Sequence, residues 1–293
     1  MFILRTLVVA VAVMLAAPVA AQAAKPAPKR YLVSLGDSYA TGYQVLAPGR
    51  AANTRNGFAY QVPKLARKRG HRYELVNLGC ASETTASMLN RTTPCAQRTL
   101  GGPDYGGSTQ ITAAEAFIRA NKRKIGLITV SIGGNDVTAC AATADPIPCV
   151  LAAVGQIQQN VGALAARLRA AAGPKPRIVG ITYPDAILGR WIGADANQDL
   201  ARLSVVAFRD VINPALKAAY ESAGGRLVDV TAATGAYGSL DELTPFPPLG
   251  DLPLPVARVC RLTYYCEYRD IHARTSGYKL IARLIVKTLP DRR

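Results

Sequence analysis

Apolar and polar positions along this chain follow two alternating periods. Short, nearly unbroken apolar runs at residues 31–35, 73–78, 125–132, 177–183 and 226–230 predict five β-strands. The run at 125–132 is apolar at almost every position, as a strand covered on both faces must be. Between these runs the period lengthens to that of a helix, over residues 57–68, 108–121, 148–172 and 197–223. Residues 276–289 close the chain, with Leu280, Ile281, Leu284, Ile285 and Leu289 at helical spacing. Strand–helix alternation over this length predicts a single α/β domain with a mostly parallel sheet. Such sheets carry their functional residues on loops at the carboxyl ends of the strands. Residues 244–256, rich in Pro and Leu, read as a surface loop before the last helix.

The first residues obey a different rule. Arg5 precedes an apolar run from Thr6 to Ala17, then Pro18, and Ala21-Gln22-Ala23 forms a small-x-small exit. This describes a secretory signal peptide at residues 1–23, cleaved before Ala24. The run is short for a spanning helix and ends at Pro18, which counts against a membrane anchor. Residues 24–30 read as a leader, and residues 31–293 as the folded, secreted, extracellular domain. The chain is 49% hydrophobic and 18% charged, which excludes a disordered chain and a coiled coil. The formal charge of +16 falls to about +15 when Arg5 is removed with the signal. That excess suits encounters with anionic cell wall, membrane surface or substrate. The Lys and Arg residues are spread along the chain without a nucleic-acid motif, so no specific nucleic-acid partner is expected.

Export makes the cysteines legible. Cys80, Cys95, Cys140, Cys149, Cys260 and Cys266 form three close pairs along the sequence. Neighbour pairing is expected (Cys80–Cys95, Cys140–Cys149, Cys260–Cys266), each bridge stapling one loop. Other pairings stay open to six cysteines. No Cys-x-x-Cys spacing is present, and no metal site is expected.

Candidate chemistry lies at the strand ends. The first strand runs into Gly36-Asp37-Ser38, which places a serine as an exposed nucleophile or as part of a helix cap. The second leads to Ser82-Glu83-Thr84. The third leads to Gly133-Gly134-Asn135-Asp136, where Asn135 can donate to an oxyanion or cap a helix. Only two histidines exist. His71, in a basic turn, reads as an exposed loop residue. His272, just before the terminal helix, can face the other strand ends as a base, or be a structural loop residue paired with Asp270.

In chain order these four blocks resemble the SGNH (GDSL) hydrolase superfamily, particularly secreted actinobacterial esterases and lipases. The resemblance spans nearly the whole chain after the leader. It implies a three-layer α/β/α fold and a serine ester hydrolase (esterase or lipase) that needs no cofactor. Ser38 then matches the nucleophile and His272 the base. The oxyanion hole matches the backbone N–H groups of Ser38 and Ser82 and the Asn135 amide. Three features depart from the family pattern, one being His272-Ala273-Arg274 in place of the common His-Pro-Asn. Serine replaces the usual glycine at Ser82, and Arg269 stands three before the histidine where Asp is usual. Asp270, a main-chain carbonyl or Glu267 can take the acid's place. The substrate is expected to be an acyl lipid or a small ester, with residues 246–256 as a possible apolar rim. Polysaccharide O-acetyl esters are the alternative, and so is a non-catalytic wall-binding module on the same fold. A monomer is expected.

Overall fold

The computed structural model describes residues 28–95, 102–138, 140 and 143–292. The expected signal peptide (1–23) and the first leader residues (24–27) lie outside the described residues. Among the described residues nine strands follow in chain order: β1 (Arg30–Gly36), β2 (Tyr43–Ala47), β3 (Arg50–Asn53), β4 (Tyr73–Asn77) and β5 (Ile125–Ser131), then β6 (Arg177–Ile181), β7 (Arg226–Val228), β8 (Leu243–Pro245) and β9 (Asp251–Pro253). The five strands read from the apolar runs form one parallel sheet in the order β4-β1-β5-β6-β7. The order reverses between β1 and β5, and a crevice opens at that point beyond the strand ends.

The helices are α1 (Ser38–Thr41), α2 (Phe58–Arg67), α3 (Thr85–Asn90), α4 (Gln110–Ala120), α5 (Gly134–Thr138) and α6 (Pro146–Ala172), then α7 (Gln198–Val206), α8 (Asn213–Ser222), α9 (Val230–Ala233), α10 (Leu254–Leu262), α11 (Tyr265–Tyr268) and α12 (Thr275–Lys287). Side chains alternate across the sheet, so it buries two separate layers. Leu32 and Leu127 face one layer, built on α2 and α12 with Phe58, Val62, Ile281 and Ile285. Val33, Leu35, Ile128 and Val130 face the other, built on α4, α6 and α8. The result is the three-layer α/β/α arrangement.

Three local expectations are corrected. Residues 244–256 are not a loop: β8 and β9 pair as an antiparallel hairpin that leads into α10. Leu252 and Val256 are buried there against Leu188 and Ala201, and that apolar burial orders the segment. The helix expected over 197–223 is interrupted by a π-helical turn, Ala207–Ile212. Pro214 explains it, since proline lacks an N–H and its ring would strike the carbonyl four residues back in a regular helix. His71 is buried rather than exposed, at 3%. The chain's end crosses it: Nε2 lies 2.7 Å from the Pro290 carbonyl, and the ring stacks on Tyr73. Burial lowers its pKa.

Gly36 ends β1 at φ +132°, and a Cβ there would stand 2.0 Å from the Ser131 carbonyl oxygen. Both the backbone angle and the space exclude a side chain. Gly36→Ala should therefore cost about 3 kcal/mol or more of stability. Urea unfolding of the variant beside wild type measures it.

Candidate active site

Ser38 occupies the first position of α1, straight off β1. The turn that puts it there is held on every side. The Gln110 side-chain amide brackets Gly36, accepting from its N–H at 2.7 Å and donating to its carbonyl at 3.1 Å. Asp37 N–H donates to the Ser131 carbonyl at 3.0 Å, which fastens β1 to β5 beyond the ladder. Asp37 caps α1 by accepting from the Tyr39 N–H at 2.9 Å. Its other oxygen accepts from the Tyr183 hydroxyl at 2.5 Å.

His272 reaches this serine from the far end of the chain. Its Nε2 lies 2.7 Å from Ser38 Oγ, and its Nδ1 lies 2.8 Å from Asp270 Oδ1. The same carboxylate oxygen also accepts the His272 backbone N–H at 2.9 Å. A carboxylate two residues before the histidine thus reaches both its main chain and its ring. Burial works to raise the Asp270 pKa, but the hydrogen bonds and charge of His272 outweigh it and leave the carboxyl below its usual range.

The other acid candidate is engaged elsewhere. Glu267 pairs with Arg274 at 2.6 Å. Arg269 terminates α11 in the left-handed conformation, φ +55°, and donates to the Gly189 and Ile192 carbonyls.

The second and third blocks meet beside this pair. Asn135 donates from Nδ2 to the Glu83 carbonyl at 2.8 Å, which orients the amide and leaves its second N–H available. Asp136 accepts from the Thr85 hydroxyl at 2.6 Å and from the Thr85 N–H at 3.0 Å. Ser82 is exposed and adopts φ +64°, the left-handed region in which glycine is the easy occupant. The family's glycine thus has a backbone reason, and serine here tolerates the same conformation. Ser38 and Asn135 line one cleft of about 300 Å³; Ser82 is not among its lining residues.

The walls of that cleft are apolar. They come from the start of α6 (Ile147, Val150, Leu151) and from α7 with its π turn (Leu203, Phe208, Val211). Residues 246–256 contribute none of the lining, which corrects the expected rim.

Sequence reasoning missed several residues that build the site. Tyr39 donates from its hydroxyl to the Ile271 carbonyl at 2.6 Å, tying the helix of Ser38 to the loop of His272. Tyr43 packs its ring 4.3 Å from the imidazole, centroid to centroid. Tyr183 and Gln110 hold the turn from below. Only position gave a signal for them: Tyr39 adjoins Ser38, and Tyr183 closes the fourth apolar run. The structure joins Cys80 to Cys95, Cys140 to Cys149 and Cys260 to Cys266. Each bridge adjoins one block of the site: the Ser82 loop, the start of α6, and the approach to His272.

A parallel sheet with this crevice at its reversal point, covered by helices on both faces, defines a three-layer α/β/α protein. The same fold occurs in a lipase from a goat rumen metagenome, at 16% identity and a TM-score of 0.53, over 87% of this chain and 95% of that one. Residues 34–280 match the GDSL-like lipase/acylhydrolase family, and the chain belongs to that family. It is also similar to phospholipase A1 from Streptomyces albidoflavus NA297, at 17% identity and a TM-score of 0.48, over 88% of this chain and 98% of that one. The aryl esterase of M. smegmatis is similar at 12% identity and a TM-score of 0.48, over 88% and 97% of the two chains. Among curated proteins, none matches the chain.

Burial pushes Asp37 up to about 6, against the pull of its hydrogen bonds and of the charge on His272. The sign follows from linkage. Between the unfolded value near 3.8 and the folded value of about 6, the folded state holds more protons, so stability falls as pH rises. The loss is about 3 kcal/mol and is complete above that window. Asp37→Asn should lack this component. Unfolding free energies of both proteins from pH 4 to 8 test it: the variant should gain relative to wild type as pH rises through the window.

Proposed function

We propose that the protein is a secreted serine ester hydrolase that cleaves esters of apolar acyl chains by two-step acyl transfer. The observation that carries this reading is the unbroken line of contacts from Asp270 through His272 to Ser38. In this mechanism His272 Nε2 takes the Ser38 proton as Oγ attacks the ester carbonyl. The backbone N–H groups of Ser38 and Ser82 and the free N–H of Asn135 stabilise the oxyanion. His272 then returns the proton to the leaving alcohol oxygen as the ester C–O bond breaks. Water, deprotonated by the same imidazole, releases the acid and restores Ser38. Asp270 holds the ring with Nε2 toward the serine and favours the positive charge that forms. Burial of a charge-assisted bond makes the carboxylate the better partner than a neutral carbonyl.

The cleft supports acyl chains over acetyl groups, because an acetyl ester would leave most of its apolar wall in water. Export fits three disulfides, which persist in oxidising compartments, and the signal-like residues 1–23. The reaction requires no cofactor, and the positive charge suits an anionic surface outside the cell.

Ser38→Ala and His272→Ala should each abolish hydrolysis of p-nitrophenyl esters and labelling by a serine-reactive phosphonate while the fold stays intact. Asp270→Asn should lower kcat by at least about a hundredfold. Undiminished turnover by folded Ser38→Ala would end this assignment. Along a series of esters, each methylene that enters the cleft is worth about 0.8 kcal/mol. kcat/KM should therefore rise about fourfold per added carbon until the cleft fills. Val211→Trp should move that plateau to shorter chains; a flat series would remove the cleft from the substrate site.

A further inference from the structure

The Lys and Arg residues are scattered in sequence, but the parallel sheet gathers many of them at one end. Each of its five strands is entered through a cation. Arg72 precedes β4, Arg30 opens β1, Lys124 precedes β5, Arg177 opens β6 and Arg226 opens β7. All five strands run the same way, so these entrances lie side by side. At about 4.8 Å between neighbouring strands, they form a row about 19 Å long. We propose that this row is a docking surface for a linear polyol-phosphate polymer of the cell wall. The inference rests on the reading of the protein as exported, and not on the ester reaction.

Neighbouring segments add charge to the same end. Burial, and then the charges of Arg292, Arg69 and Arg177, lower the His71 pKa, so cations from distant segments converge on that ring. Arg292, Arg30 and Arg177 likewise act together on Tyr73, the first residue of β4. Lys122 reaches across to the end of α6, its Cε 3.3 Å from where a Cβ on Gly173 would stand. Among the described residues, the carboxylates at this end are Glu74, Glu221 and Asp291, and Glu74 pairs with Lys29 at 2.6 Å.

Folding alone does not call for such a row. α2, α4, α6 and α8 each end a few residues before the next strand of the sheet begins, so their carboxyl ends point here. Such an end attracts cations but carries only about half a unit charge. Four of them therefore answer about two cations. Gathering the others costs repulsion between like charges. Arg72, Lys124 and Arg226 are exposed, where an external anion can reach them.

The position of the row selects the partner. β5 is seven residues long, so the row lies about 20 Å from the crevice that holds Ser38. A bilayer gripped here would face away from the ester site. Among the described residues, the large exposed apolar side chains belong to β2, α6, α7 and the β8–β9 hairpin, so none at this end would anchor in lipid. A polymer chain needs only charges spaced along a line. The guanidinium groups of Arg72, Arg30, Arg177 and Arg226 match phosphate, whose oxygens each can hold through two N–H groups. A protein docked in this way keeps its crevice turned outward.

An end-labelled poly(glycerol phosphate), titrated with protein at several salt concentrations and followed by fluorescence anisotropy, tests this. Wild type should bind, with an affinity that falls as salt rises. The triple variant Arg72→Gln, Lys124→Gln, Arg226→Gln should bind at least about tenfold more weakly, with a salt slope shallower by about two. A triple variant of equal charge at the crevice end, Arg50→Gln, Arg55→Gln, Lys279→Gln, should stay within about twofold of wild type at physiological salt. Melting curves check that both triples are folded. Equal losses in the two triples, or no binding by wild type, overturn the inference. A loss in the row triple seen on phosphatidylglycerol vesicles but not on the polymer assigns the row to a membrane and also overturns it. An inactive wild type that still binds the polymer through the row overturns the hydrolase reading alone.

Discussion

The turn at the end of β1 is the constraint on which the rest of the site depends. Gly36 lies so close to the Ser131 carbonyl that no Cβ fits between β1 and β5. That close approach lets Asp37 cross from strand to helix cap, and it delivers Ser38 to the crevice at the first helical position. The cap is costly, because Asp37 is fully buried. It persists because four partners face it: the Tyr39 N–H, the Tyr183 hydroxyl, the Ser131 hydroxyl and the charge of His272. The polar residues under the serine are therefore as much a part of the scaffold as the apolar layers of the sheet.

A second requirement is that a residue 234 positions away be held at hydrogen-bond distance from that serine. Short links share this task. Tyr39 and Gln44, both near the first strand, donate to main-chain carbonyls at Ile271 and Ala273, on either side of His272. The Cys260–Cys266 bridge ties α10 to α11 just upstream. An antiparallel bridge between Thr263 and Ala273 closes the loop on itself. The histidine is positioned mainly through its backbone, and the aromatic rings of Tyr39 and Tyr43 then confine its side chain.

The two sides of the His272 loop differ in chemistry. One side is an apolar cleft made from α6, α7 and the π turn that Pro214 imposes. The other is a hollow lined by Tyr43, Tyr268, Asp270 and Arg50. The proposed reaction uses the apolar side, where Ser38 keeps the acyl group.

Much of this was legible before the fold. The apolar runs specified the strands of the sheet, because a strand covered on both faces must be apolar throughout. Gly36-Asp37-Ser38, Asn135 and His272 stood out because a glycine turn at a strand end and a scarce imidazole are chemically conspicuous. Local patterns could not reveal the rest. Asp270 stands at an unfamiliar spacing, and only the path of the loop shows its carboxylate on the ring nitrogen. His71 looked exposed because its neighbours are basic, yet the end of the chain covers it. The cleft walls and the hairpin bearing Arg50 come from segments that meet only when the sheet is assembled. Sequence by itself determined which residues can do chemistry and which must be buried, since both follow from side-chain type and period. Tertiary structure alone decided which of them face one another, because contacts between residues hundreds of positions apart depend on packing that no local pattern encodes.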